Sequence, residues 1–154
     1  MSGIIGQVGA RSGVIGSGND STQLDYEEGT FTATITGNSG NPTGHPINAT
    51  NAYYTKIGRL VYFNIRRFQA INVNGASGPI RIDGLPFAAH NSYVVTDISF
   101  YNFPMDASAN PCFEGAGSYL VGLLSFDDAA WQDWDIEADG ASRYMALSGT
   151  YETS

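Results

Sequence analysis

Strict alternation between apolar residues and threonine is the feature that most constrains the fold of this chain. Residues 29–36 read Gly-Thr-Phe-Thr-Ala-Thr-Ile-Thr, so Phe31, Ala33 and Ile35 fall on one face and the threonines on the other. Because successive side chains of a strand point to opposite faces, this period of two predicts a half-buried β-strand.

The same kind of pattern recurs along the chain between turn signals such as Asp83-Gly84. Apolar residues at consecutive positions in 59–68 predict a central strand that is buried on both faces. The remaining strands are predicted at 52–57, 78–82, 92–103, 118–126, 131–137 and 143–151. This order predicts an all-β protein, an antiparallel β-sandwich of the jelly-roll-like kind. The predicted core includes Phe31, Ile35, Val61, Phe63, Ile65, Val94, Ile98, Leu120 and Leu123.

Residues 1–23 differ from the predicted sandwich domain at 24–154. They are rich in glycine and contain no aromatic residue, and the phrase Ser-Gly-x-Ile-Gly occurs in them twice, at 2–6 and at 12–16. Such a segment cannot build a core of its own, so we expect an extended Gly-rich N-terminal arm. Its β-branched pairs, Ile4 with Ile5 and Val14 with Ile15, are candidates for attachment to a partner protein by strand addition.

Composition excludes several classes of partner. The formal net charge of −8 opposes binding to nucleic acid, and no apolar run is long enough to cross a membrane. The basic pair Arg66-Arg67 lies in an alternating stretch, so the two side chains are expected on opposite faces, one in an ion pair and one solvated. Cys112 is alone and is expected to be a buried thiol. The absence of a signal-peptide pattern places assembly in the cytoplasm of a host cell.

No pattern of catalytic or metal-binding residues stands out, so we expect neither an enzyme nor a cofactor or metal site. His45 and His90 lie at loop and turn positions without a nucleophile motif beside them. Alternation over 131–137 puts Asp133, Asp135 and Glu137 on one strand face. This row is either the solvated face of an outer strand or a site for a cation or glycan.

Four phrases resemble a domain found in tail-fibre and other virion proteins of short-tailed phages. Residues 24–32, Leu-Asp-Tyr-Glu-Glu-Gly-Thr-Phe-Thr, are similar to its DYEEGTWTP opening, with Phe31 where Trp is usual and Ala33 where Pro is usual. Residues 53–61 resemble its Y-x-K-I-G-x-x-V strand, residues 84–87 its GLPF turn, and residues 147–151 its closing strand.

This resemblance implies a homotrimeric, non-enzymatic virion protein, with Tyr53, Tyr54 and Phe103 as candidates for burial between subunits. Because only residues 1–23 precede the domain, the arm is the expected anchor. That arrangement favours a capsid decoration (cement) protein attached to the major capsid protein. A short tail fibre or adhesin that binds a host-surface receptor or glycan is the alternative, and a sugar-binding module is a third possibility.

Overall fold

The computed structural model describes residues 26–39, 48–71, 75–103, 105–136 and 143–153. The predicted arm, with Ile4, Ile5, Val14 and Ile15, lies outside the described residues. The described part of the chain consists of nine strands joined by turns. They are β1 (Tyr26–Ser39), β2 (Asn48–Ile57), β3 (Leu60–Ile71), β4 (Ser77–Asp83), β5 (Ala89–Tyr101), β6 (Asn110–Gly117), β7 (Tyr119–Ser125), β8 (Gln132–Asp133) and β9 (Arg143–Glu152).

All strand pairs are antiparallel and belong to one curled sheet with the order β4-β1-β2-β3-β9-β5-β6-β7-β8. Strand β4 pairs with both β1 and β7, so Ile82 is opposite Ile35 on one side and Leu120 on the other. The all-β, antiparallel prediction is confirmed. Instead of the two sheets predicted for a jelly-roll-like sandwich, the strands form one continuous sheet. Strand β4 joins the two sides of this sheet, because it pairs with both β1 and β7.

The concave face of the curled sheet carries the core. In β1 the predicted alternation is confirmed from Phe31 to Ile35, since Ala33 and Ile35 are fully buried and Phe31 packs partly buried against them. Thr36, predicted on the exposed face, is also buried. Strand β9 alternates between buried and partly exposed residues along its length up to Tyr151. Five further predicted core residues are also buried: Val61, Phe63, Ile65, Val94 and Leu120. Ile98 is partly buried.

Two predictions about individual faces are wrong. Strand β3 is buried on one face only, because Leu60 and Tyr62 are 50% and 46% exposed. Leu123 lies on the outer side of β7, whereas Leu124 is buried. Leu120 and Leu123 are three positions apart, and a regular strand turns residues at that spacing to opposite faces.

The segment 131–136 fills the space where β4 and β7 diverge. The predicted strand there shortens to β8. Beyond β8, the backbone N–H of Trp134 donates to the Gly122 carbonyl at 3.0 Å, and the backbone carbonyl of Trp134 accepts from the Ile80 N–H at 2.9 Å. Trp134 and Ile136 are buried, as the predicted alternation requires. This segment therefore hydrogen-bonds to both strands and covers one end of the core.

Candidate binding face

A β-bulge in β3 shapes the outer face of the sheet. Ile65 is opposite Leu147 and Phe68 is opposite Met145, so β3 has one more residue than β9 over this interval. All four of these side chains are buried. The two residues of β3 between them, Arg66 and Arg67, are both exposed. The prediction that these arginines point to opposite faces is wrong, because it assumed a regular strand.

Each arginine of the bulge lies over a tyrosine ring. The Arg66 guanidinium carbon is 5.7 Å from the centre of the Tyr53 ring, and that of Arg67 is 5.2 Å from the centre of the Tyr144 ring. The ring centre of Tyr144 in β9 is 5.9 Å from that of Tyr101, which is opposite it in β5. Each guanidinium group therefore lies against an aromatic ring, that of Arg66 on the β2 side of β3 and that of Arg67 on the β9 side.

Polar residues and one small residue line the sheet beside the bulge. Asn64, Ser148 and Asp97 are opposite one another across β3, β9 and β5, and Ala146 is opposite Ser99 in the next row. These residues surround two adjoining depressions of about 360 and 260 Å³ that share Ser99 and Ala146. We call this the outer groove. Its exposed and partly exposed residues are Asn64, Arg66, Arg67, Asp97, Ser99, Phe100, Tyr101, Tyr144, Ala146 and Ser148, and the buried residues Ile65, Met145 and Leu147 lie beneath them.

The charges of the outer groove are not neutralised by one another. Elsewhere in the described chain, Arg59 and Arg81 each form an ion pair with a carboxylate, at 2.9 and 2.6 Å respectively. Within the described ranges, neither Arg66 nor Arg67 has a carboxylate in salt-bridge distance, although Asp97 lines the same groove. A protein of net charge −8 thus presents one arginine without a carboxylate partner among the described residues at each of the two adjoining depressions.

The three predicted interface aromatics occupy different environments. Tyr53 is 42% exposed and lies beside the outer groove. Tyr54 is partly buried, and its hydroxyl donates to Glu27 at 2.6 Å, which raises the pKa of that tyrosine. Phe103 is already buried within the single chain, against the rings of Phe100 and Trp134, so its predicted burial between subunits is wrong. The exposure of Tyr53 follows from the register of β2, which places Tyr53 on the outer face opposite Asn64.

The acidic row is partly described. Asp133 and Asp135 are exposed and line, together with Asp106, a depression of about 450 Å³, while Glu137 lies outside the described residues. The backbone and hydroxyl of Ser108 donate to Asp106 at 2.8 and 2.7 Å and lower the pKa of its carboxyl group. No group of three ligands suited to a metal ion occurs in the part of the chain that the structure describes.

Cys112 and His90 are the remaining candidate groups that the structure describes. Cys112 is partly buried, and burial together with the charge of Glu114 raises the pKa of its thiol. His90 is exposed, and His45 lies outside the described residues. Among the residues that the structure describes there is no helix with the length and apolarity of a membrane span.

No protein-family model and no curated protein matches this chain. Among solved structures, its fold is similar to that of the Dettilon tailspike protein (gp208), with a TM-score of 0.63 and 14% sequence identity. The similarity covers 82% of this chain but only 24% of the tailspike chain. At this identity the similarity concerns the fold, an all-β antiparallel architecture, and this chain spans about a quarter of the length of that protein.

Proposed function

We propose that this chain is a non-enzymatic bacteriophage virion protein that belongs to the tail and contacts the host surface. The observation that carries the proposal is the similarity of its fold to a tailspike protein over 82% of the chain. The phrases at 24–32, 53–61 and 84–87 resemble virion proteins of short-tailed phages and support the same class. In this proposal the chain assembles in the host cytoplasm and needs no cofactor.

A tail location is better supported than capsid decoration. The decoration hypothesis depended on the arm at residues 1–23 as an anchor in a shell, and those residues lie outside the described part of the chain. The described residues instead form the curled sheet that the tailspike protein shares. The open outer face of β3, β9 and β5 carries a groove lined by polar and aromatic side chains, which suits surface recognition.

We further propose a homotrimer whose subunits meet at an apolar row on the outer face. Tyr26, Ile57 and Leu60 are neighbours across β1, β2 and β3, and Tyr62 lies two residues beyond Leu60 on the same face. These four side chains are between 42% and 50% exposed in the single chain. Apolar side chains grouped in this way are typical of a protein–protein contact.

The location is tested by immunogold electron microscopy of particles, with antibodies raised against the purified chain. Label confined to the tail supports the proposal, and label spread over the head would establish decoration instead. Absence of the chain from particles, measured by mass spectrometry, would exclude a virion protein.

The trimer is tested by light scattering of Leu60→Glu, which is expected to be monomeric. Trp131→Glu is the matched control, because it adds the same charge at a residue that is 48% exposed outside the row.

A further inference from the structure

We propose that the outer groove binds a carboxylate-bearing saccharide, with Arg66 and Arg67 as the carboxylate-binding residues. The inference rests on the proposed role in host-surface contact and specifies its ligand. Its basis is the β3 bulge, which exposes two arginines without a carboxylate partner among the described residues, Arg66 at one of the two adjoining depressions and Arg67 at the other.

The tyrosine contacts leave the arginines able to bind an anion. A guanidinium carries five N–H donors in its plane. The nearby rings of Tyr53 and Tyr144 limit the motion of Arg66 and Arg67, and among the described residues neither guanidinium donates a hydrogen bond or forms an ion pair. Arginine held in this way suits bidentate binding of a carboxylate.

The rest of the outer groove matches the hydroxyl groups of a sugar. Asn64, Asp97 and Ser148 form a row across three strands, and neighbouring strands are about 4.8 Å apart. Amide, carboxylate and hydroxyl groups together can both donate to and accept from sugar hydroxyls. The small side chain of Ala146 leaves space between the rows, and Tyr101, which is 64% exposed, offers a ring against which a sugar can pack.

Two other kinds of ligand fit less well. A nucleic acid would bring a dense row of phosphates to a protein of net charge −8, and the groove offers two cations beside a carboxylate. An extended peptide that binds by strand addition needs an open sheet edge, but β3, β9 and β5 are each paired on both sides. An acidic saccharide carries separate carboxylates on an otherwise uncharged, hydroxyl-rich chain. It therefore matches a groove that has two arginines and one aspartate.

The test measures binding of the full chain to immobilised oligosaccharides that contain galacturonic, glucuronic or sialic acid, each beside its methyl ester. We expect at least one acidic saccharide to bind about tenfold more tightly than its ester, the lower end of what a charge-assisted hydrogen bond contributes. The double variant Arg66→Gln/Arg67→Gln should lose this preference. Ala146→Leu should also weaken binding, because it fills the groove without changing the charge.

Arg59→Gln is the matched control, since it removes the same charge from an exposed arginine outside the groove and should leave binding unchanged. Equal binding of acids and esters throughout the panel, or an acid preference that survives the double variant, would overturn the inference. So would a change in the oligomeric state of the double variant, which would assign the groove to a subunit contact. Tail labelling in electron microscopy is a separate measurement, so a tail protein that binds no acidic saccharide refutes only this inference.

Discussion

Truncation of Trp134 tests whether the segment 131–136 is part of the core. Trp134 is 1% exposed, and its ring lies 5.5 to 6.2 Å from those of Phe100, Phe103 and Phe113. Trp134→Ala leaves a large cavity in this cluster, and we expect a loss of about 3–5 kcal/mol in the free energy of unfolding. That is a large fraction of the roughly 5–15 kcal/mol that a domain has in total. The melting temperature should fall by roughly 6–20 °C.

Thermal unfolding followed by circular dichroism measures the effect, with Trp131→Ala as the matched control. Trp131 is 48% exposed in the same segment, so its truncation should cost much less. Trp134→Phe provides a milder variant if Trp134→Ala does not fold. It keeps an aromatic ring and removes an indole N–H that has no acceptor among the described residues, so it should retain most of the stability. Equal melting temperatures for the two alanine variants would refute the assignment of Trp134 to the core.

Three further substitutions address the sheet itself. Val61→Asp should prevent folding, because Val61 is fully buried and an unpaired carboxylate there costs several kcal/mol; a soluble variant with native circular dichroism would contradict this. Gly84→Ala should be strongly destabilising in urea titration, since Gly84 has a φ of 88° and an added Cβ would collide with the Thr32 carbonyl oxygen. Burial raises the pKa of Tyr151 to about 12, so the stability supplied by its neutral form is complete below pH 10 and is lost as pH rises to 12. Tyr151→Phe should make unfolding in urea less sensitive to pH across that interval, and an unchanged pH dependence would argue against a raised pKa.

Regular alternation is the part of the structure that sequence reasoning could predict. In β1, Phe31, Ala33 and Ile35 face the core because nothing interrupts the period of two. The joining of β4 to both β1 and β7 could not be predicted in the same way. It depends on contacts such as Ile82 with Leu120, which are far apart along the chain and carry no local pattern.

Interruptions of the alternation explain the errors at the candidate site. Phe103 lies beyond the end of β5, after Asn102, whose φ of 62° turns the chain so that the ring packs inward. The bulge at Arg66 and Arg67 nevertheless has a signal in the sequence. Ile65 and Phe68 are both apolar and three apart, and in a strand both can be buried only if one extra residue lies between them.

Deletion of Arg67 follows from that argument and tests whether the bulge creates the outer groove. Without the extra residue, the residues opposite Leu147 and Met145 remain Ile65 and Phe68, and the single residue between them is opposite Ala146 as in a regular ladder. Both apolar side chains keep their buried positions, and the described pairing of β3 with β2 ends at Ile65, before the deleted residue. We therefore expect a folded protein whose melting temperature is close to that of the native chain, and whose affinity for an acidic saccharide falls at least as far as that of Arg67→Gln. A deletion variant that fails to fold would show that the sheet needs the bulge for its curvature, so that the paired arginines would be a consequence of how the sheet closes.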